Sequence, residues 1–243
     1  MAIQLTPEEF IQGFSSLLFS VISIMVGLLL IIRYLQYRQN TLLLAGLTWC
    51  LIASTWYTGG INFIYVLITG TSISDEAYFL CYLFVPFTLT LWISLFTVLK
   101  NIQKRKLILG FLIIQGIIYE IILLYFIFTD LSVVGYKEGL FNDELTLPFS
   151  IYMIVILIIA IITGLWFALD SMKSEKKDIK LKGKFLTAAW LSFVIGAALD
   201  TGLVSLTPLL LIITRLILIS SAFEFYFGFF LPEWLKRLLI KED

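Results

Sequence analysis

Residues 198–224 read ALDTGLVSLTPLLLIITRLILISSAFE, and this stretch decides the fold. Its two apolar runs on either side of a short polar turn predict a helical hairpin inside a membrane. Charges are costly in a membrane span, yet Asp200 lies on the first helix and Arg215 and Glu224 on the second. Asp200 and Arg215 each lie about six or seven residues, roughly 10 Å, from the predicted turn. We therefore expect their side chains to pair at the same depth.

The composition argues against a soluble protein. The 243 residues are 60% hydrophobic and 14% charged, whereas a soluble domain carries about 25% charged residues. The net charge is zero, and the basic residues are clustered in short connectors instead of forming a face for nucleic acid. There is no histidine, and Cys50 and Cys81 fall at different predicted depths. We expect a polytopic membrane protein with no nucleic-acid partner, no metal site and no disulfide.

Seven apolar segments approach or exceed the roughly 20 residues that a membrane span needs. They are Ile11–Tyr34, Leu42–Ile68, Ala77–Leu99, Leu107–Phe128, Leu147–Leu169, Phe185–Leu206 and Pro208–Phe230. The predicted fold class is all-α, with a seven-transmembrane-helix bundle over residues 1–231. Residues 232–243 would form a short interfacial tail, in which Pro232 ends the last span and Trp234 and Leu238 lie on the apolar face of an amphipathic helix. Thr6, Pro7 and Glu8 predict the start of the first helix rather than a signal peptide.

The placement of lysine and arginine predicts the orientation. Fifteen of the 17 basic residues lie in the connectors after spans 1, 3 and 5 and in the tail. Lys137 lies on the opposite side, and Arg215 lies within a span. By the positive-inside rule the N-terminus is outside and the C-terminus is cytoplasmic. We expect a multi-pass protein of a prokaryotic plasma membrane.

Other polar residues share the outer half of the bundle with the Asp200–Arg215 pair. Span 2 carries Thr48, Thr55, Gly59 and Asn62 on one face; span 3 carries Tyr82, Pro86 and Thr90; span 4 carries Glu120; and span 5 carries Tyr152. We expect an outward-opening polar pocket whose ligand-binding residues are Arg215, Asp200, Glu120, Asn62, Tyr82 and Thr90. If Glu120 faces inward, two carboxylates share one guanidinium and one of them holds a proton.

Three residues are assigned structural roles. Pro86 frees the carbonyl of Tyr82 and kinks span 3. Gly59 belongs to the polar face of span 2, and Glu224 bonds Ser220 or reaches cytoplasmic lysines. An intramembrane Asp–Arg pair can also do no more than lock two helices together, and that alternative stays open. A stripe of small residues on span 1 packs within the bundle or forms a homodimer face: Gly13, Ser16, Ser20, Ser23 and Gly27.

No motif for a known chemistry is present. Phosphate-binding loops, serine-hydrolase elbows, zinc-protease motifs and Cys-x-x-Cys pairs are missing. The predicted topology matches that of the microbial rhodopsins, which carry retinal on a lysine in span 7. Span 7 of this chain has no lysine, which excludes a retinal Schiff base. We expect no cofactor. With neither histidine nor a metal constellation, paired carboxylates are the one candidate chemistry for an enzyme, and a function other than catalysis is favoured.

The last span and its exit, RLILISSAFEFYFGFFLPEWLKRL at residues 215–238, suggest a family. Together with the topology, it resembles the seven-helix sensor regions that precede kinase or other signalling domains in prokaryotes. The resemblance implies a sensory input module. Such sensors continue into an output domain, whereas this sequence stops at Asp243. We therefore expect the protein to act alone in the membrane and to signal through a separate partner at its basic cytoplasmic face.

Four functions are compatible with these features. The leading hypothesis is a sensor or receptor-like protein that binds a small or lipidic ligand, with Arg215 as the anionic anchor and Asp200 as its orienting partner. The second is a small-molecule or proton-coupled transporter in which Glu120 and Asp200 titrate. A lipid-modifying enzyme using paired carboxylates and a structural subunit are the lesser alternatives.

Overall fold

The structure, a computed structural model, describes residues 3–200 and 207–240. Its α-helices are α1 Pro7–Tyr37, α2 Asn40–Ile52, α3 Ser54–Thr69, α4 Asp75–Phe79, α5 Phe84–Leu99, α6 Arg105–Thr129, α7 Leu147–Met172, α8 Lys177–Asp200, α9 Pro208–Phe229 and α10 Glu233–Leu239. A two-stranded antiparallel hairpin of β1 Gly135–Glu138 and β2 Asn142–Leu145 lies between α6 and α7.

The prediction of an all-α protein with membrane-spanning helices is confirmed at that level. Within the described part of the chain, six helical segments are long and apolar enough to cross a membrane, and α2 with α3 adds a seventh if the bent pair is one span. The exposed surface of these helices is largely apolar, as lipid requires. The predicted end of span 6, residues 201–206, lies outside the described residues, and α10 occupies the predicted interfacial segment.

The sequence does not predict that span 2 is broken. Helices α2 and α3 meet at Ala53 with a bend of 53°. The bend deprives the carbonyl of Cys50 of its helical partner, and the hydroxyl of Tyr57 donates a hydrogen bond to it. A buried carbonyl without a partner would be costly in hydrocarbon, so this contact stabilises the break. The single polar face predicted for span 2 is therefore split between two helices of different direction.

The sequence predicts a kink at Pro86 in span 3. In the structure the irregularity is a tight helical turn directly before α5. Residues Leu80–Leu83 form one turn of 3-10 helix, and α5 begins at Phe84. Proline cannot donate to the carbonyl four residues earlier, which belongs to Tyr82. The amide of Phe84 instead donates to the carbonyls of Cys81 and Tyr82. This local arrangement positions the side chain of Tyr82 at the N-terminal end of α5.

Helix α1 packs against α2, α3 and α9, and α8 packs between α7 and α9. The small-residue stripe of α1 lies in these contacts. A Cβ on Gly27 would lie 2.7 Å from the carbonyl oxygen of Gly46, and one on Gly60 2.9 Å from the Cα of Leu17. The stripe is therefore occupied within the chain, and a dimer through α1 would use its exposed apolar face instead.

Aromatic side chains fill the centre of the bundle. The rings of Trp92 and Trp190 lie 4.7 Å apart, and those of Trp49 and Phe225 lie 4.2 Å apart and stacked. All four residues are at most 2% exposed. Because Trp190 lies ten residues, or roughly 15 Å, before Asp200 on α8, this aromatic core closes the bundle below the ion pair.

Candidate functional site

The ion pair predicted from the sequence is present between α8 and α9. Nη1 of Arg215 lies 2.9 Å from Oδ2 of Asp200, and the two side chains are 5% and 13% exposed. Removing one partner from a buried pair leaves the other charge uncompensated and costs about 3–5 kcal/mol. The pair therefore stabilises the α8–α9 contact, and it also places a guanidinium inside an apolar bundle.

Arg215 does not use all of its donors. Its Nε is buried and has no hydrogen-bond partner among residues 3–200 and 207–240. A guanidinium has five N–H groups in a fixed planar arrangement, which suits a carboxylate or phosphate that accepts two of them. An open donor on a buried arginine is a feature that a pure helix lock does not need.

Trp56 of α3 is the third member of this cluster, and sequence reasoning missed it. Its Nε1 donates a hydrogen bond to Oδ2 of Asp200. Its ring packs edge-on against Phe19 at 5.1 Å and Phe193 at 6.2 Å, which connects the ion pair to the aromatic core. Trp56 lies in the first turn of α3, directly after the bend at Ala53. No sequence signal separates it from the interfacial tryptophans.

The β1–β2 hairpin lies over the bundle near this cluster. Lys137 and Asp143 are directly opposite each other in the register and are partly buried, whereas Tyr136 and Glu144, the next pair, are exposed. Successive residues of a strand face opposite sides, so the pattern defines an inner face and an outer face. The inner face of the hairpin carries one cation and one anion toward the bundle.

Asp143 is held by a hydrogen bond from the hydroxyl of Tyr82, with 2.6 Å between Oη and Oδ2. Burial raises the pKa of the Asp143 carboxyl from 3.8 to about 6; the bond from Tyr82 lowers this pKa, and the nearby charge of Asp200 raises it. The two aspartates are therefore close enough to interact. The second carboxylate near the ion pair is Asp143 from the hairpin, a residue that the sequence places only in an acidic outer loop.

Lys137 ties the hairpin to the start of α4. Its Nζ lies 3.2 Å from Oδ1 of Asp75, donates to Oγ of Ser72 at 2.8 Å and lies 5.1 Å from the centre of the Tyr78 ring. The lysine side chain is 9% exposed. These contacts neutralise the charge of Lys137 locally. The residue therefore attaches the hairpin to the bundle and is not a free cation for a ligand.

Asn62, predicted to line the pocket, instead joins two loops to α3. Its Nδ2 donates to the carbonyl of Leu140 at the hairpin tip at 2.6 Å. Its Oδ1 accepts from the amide of Ile73 at 2.9 Å and from Oγ of Ser72 at 3.2 Å. Asn62 is fully buried, and it holds the hairpin in its closed position over the bundle.

Glu120 does not join the cluster. It is partly exposed on α6, a helix that packs mainly on α5, and it makes no hydrogen bond or ion pair with any described residue. The arrangement in which Glu120 and Asp200 share Arg215 is therefore absent from the described structure. The direction in which α6 faces could not be predicted from the sequence.

The remaining predicted residues have local roles. The hydroxyl of Thr90 donates to the carbonyl of Pro86 at 2.8 Å, within its own helix. Oε1 of Glu224 accepts from Oγ of Ser220 at 2.8 Å, and its buried Oε2 has no partner among the described residues.

Gly59 allows three elements to approach one another. A Cβ on Gly59 would lie 3.2 Å from the side chain of Ser16 and 3.4 Å from the carbonyl of Phe141. The small size of the glycine therefore lets α1, α3 and the hairpin meet.

Comparison with known proteins adds no assignment. The chain matches no profile of a known protein family, no curated protein and no solved structure. Among the described residues, no group of three or more histidine, cysteine, aspartate or glutamate side chains could hold a metal ion. The site is therefore defined by Arg215, Asp200 and Trp56 below a hairpin that Asp143 and Asn62 hold in place.

Proposed function

We propose that this chain is a receptor-like membrane protein that binds a small or lipidic anion at Arg215. The observation that carries the proposal is the buried guanidinium with an unused donor, placed next to Asp200 below a polar hairpin. Hydrocarbon makes an unused arginine donor costly, and a ligand carboxylate or phosphate would satisfy it. Trp56 and Asp200 hold Arg215 in position for such a ligand.

The membrane topology is part of the same proposal. Seven spans, counting α2 and α3 as one, with the N-terminus outside, would put the β1–β2 hairpin and Arg215 in the outer half of the membrane. The same orientation puts 15 of the 17 basic residues on the cytoplasmic side, in agreement with the positive-inside rule. A prokaryotic plasma membrane fits this topology.

The hairpin would act as the lid of the site. It is attached through side chains, by Asn62 to its tip and by Tyr82 and Asp75 to its inner face. Two four-residue strands form little independent structure. Opening would therefore require the loss of these polar contacts and of the packing of the buried Phe141 ring against Phe63 of α3. A ligand would enter from the outside when the lid opens and would be enclosed when it closes.

Signal transfer would run along α8 and α9 to the cytoplasmic face. Trp56 connects the ion pair to Phe193, and Trp190 and Phe225 continue the contact toward the inner end of the bundle. The resemblance of residues 228–238 to the exit of prokaryotic seven-helix sensors supports this direction. A cytoplasmic signalling protein bound at the basic loops would respond to the resulting movement of the inner ends of α8 and α9.

A thermal-shift experiment on the purified protein tests the proposal. Fatty acids, organic phosphates and dicarboxylates would be screened for a rise in the unfolding temperature, which follows binding to the folded state. We expect a ligand of one of these classes to stabilise the wild type and not Arg215→Ala. Lys100→Ala is the matched control, because it breaks a more exposed ion pair with Asp170. A shift that survives Arg215→Ala would remove Arg215 from the site.

The raised pKa of Asp143 favours a second candidate, a proton-coupled carrier. A carboxyl with a pKa of about 6, close to Asp200, can take up and release a proton near physiological pH. In this version Asp143 takes the role first expected of Glu120. It predicts uptake into proteoliposomes that depends on a pH gradient and is lost in Asp143→Asn. Equal flux in the variant and the wild type would eliminate this role.

A further inference from the structure

An apolar groove lies at the opposite end of the molecule from the hairpin. It runs between α1 and α9 and ends at the start of α10, with a volume of about 300 Å³. Its lining is mostly apolar: Val26, Leu29, Phe223, Tyr226, Phe227, Pro232 and Trp234, together with Arg33. The groove is open toward the side of the bundle, since Leu29 is 38% and Phe223 40% exposed.

A basic group stands at the end of this groove. The guanidinium of Arg33 lies 4.4 Å from the centre of the Phe230 ring, and its Nη1 donates to Oε1 of Gln36 at 2.8 Å. The ring and the amide fix the orientation of the guanidinium without neutralising its charge. Arg33 therefore presents a fixed cation directly beside an apolar channel.

Helix α10 extends the same pattern. Trp234 is 61% exposed, packs edge-on against Phe227 and continues the wall of the groove. Leu238, one turn later, is 71% exposed, while Leu235 is buried and anchors the helix to the bundle. Exposed tryptophan and leucine beside the exposed Arg237 are typical of a helix that lies in the membrane interface.

We propose that this groove binds an anionic phospholipid of the cytoplasmic leaflet, with one acyl chain along α1 and α9 and the phosphate at Arg33. The lipid is the occupant that matches both parts of the groove. Its chain suits a lining that faces the hydrocarbon, and its headgroup carries the charge opposite to that of Arg33 and of the nearby Arg237. A guanidinium binds phosphate oxygens through two parallel N–H groups. Glu233 is the acidic residue of the same turn, and it is exposed.

The test is a lipid titration by native mass spectrometry on the full chain in mild detergent. Dioleoyl phosphatidylglycerol and dioleoyl phosphatidylcholine have the same chains and differ in headgroup charge. A basic residue near a membrane surface contributes roughly fivefold in affinity for an anionic lipid, so we expect phosphatidylglycerol to bind at least about fivefold more tightly. Arg33→Gln should remove this preference. Lys106→Gln, which removes an exposed charge from α6, should retain it.

A second pair of variants tests the apolar part and does not depend on Arg33. Leu29→Trp fills the groove and should weaken the binding of both lipids, whereas Ile32→Trp, on an exposed position outside the groove, should not. Equal binding of the two lipids by the wild type would overturn the proposal. So would an equal loss in Arg33→Gln and Lys106→Gln, because the charge would then act only through the general surface potential.

Discussion

Replacing Asp143 with asparagine should strengthen the closed hairpin at neutral pH and remove its dependence on pH. The carboxyl lies on the inner face of the hairpin, where burial and the charge of Asp200 disfavour its ionised form. An asparagine of the same shape can still accept the hydrogen bond from Tyr82, which now reaches Oδ2 of Asp143 at 2.6 Å. The variant therefore imitates the protonated residue.

The size of the effect follows from the pKa. Its rise from 3.8 to about 6 corresponds to about 3 kcal/mol, because each unit is worth about 1.4 kcal/mol. A carboxyl whose pKa is raised in the closed state binds its proton more tightly there, so closure strengthens as the pH falls through 6 and weakens as it rises. Between about pH 8 and about pH 5 the gain is about 1.4 kcal/mol, or a factor of about ten in the closed-to-open ratio.

Hydrogen–deuterium exchange of residues 135–145, corrected for the intrinsic rate at each pH, measures this ratio. The wild-type protection factor should rise about tenfold from about pH 8 to about pH 5, and Asp143→Asn should keep high protection throughout. Glu138→Gln, on the outer face of β1, should behave as the wild type. Protection that falls on acidification, or an unchanged pH dependence in Asp143→Asn, would refute the assignment of Asp143 as a buried, titrating carboxyl.

Two further predictions concern the core, and both are read from the midpoint of thermal unfolding in detergent. Trp56→Phe should cost about 1.5–3 kcal/mol more than Trp190→Phe, because only Trp56 loses a hydrogen bond to a charged group, while Nε1 of Trp190 has no partner among the described residues. Equal losses would show that the bond to Asp200 contributes little. Gly27→Ala should destabilise by at least about 1 kcal/mol through overpacking, since its Cβ would lie 2.7 Å from the carbonyl oxygen of Gly46. Gly110→Ala, with no atom within 4 Å of the new methyl group, should be neutral or stabilising, and a stable Gly27→Ala would contradict the close contact of α1 and α2.

The sequence was sufficient to predict the pair of Asp200 and Arg215. Helix rise is constant, so equal distance from a turn predicts equal depth on two antiparallel helices. The cost of an isolated charge in hydrocarbon then favours pairing, and the structure places the two side chains 2.9 Å apart. Depth and charge were enough because α8 and α9 are neighbours along the chain.

The direction in which a distant helix faces could not be obtained in this way. Glu120 lies partly exposed on α6, which packs mainly on α5, whereas Arg215 pairs with Asp200. No proline or glycine at Ala53 predicts the break between α2 and α3. The break is stabilised by a hydrogen bond from the hydroxyl of Tyr57 to the carbonyl of Cys50. Both features depend on tertiary packing, which the hydropathy pattern does not contain.

The hairpin was missed for a different reason. Its strands are four residues each and carry Lys137 and Asp143 on the inner face, so they lack the apolar alternation that predicts a half-buried strand. The available signal was weak: Gly139 at the turn, which adopts a φ of +77°, between two short polar runs. The inner face is polar because the surface below it is polar, with Tyr82, Asp75 and Ser72 as its partners.

The most direct test of the central claim, that Arg215 holds an anionic ligand, is native mass spectrometry of gently purified wild type, Arg215→Ala and Lys100→Ala. We expect a bound mass on the wild type and on Lys100→Ala that is missing from Arg215→Ala, and the mass itself would identify the ligand class. An empty wild type, with Arg215→Ala merely less stable to heat, would contradict a ligand site at Arg215. Asp200 and Arg215 would then be a lock between α8 and α9.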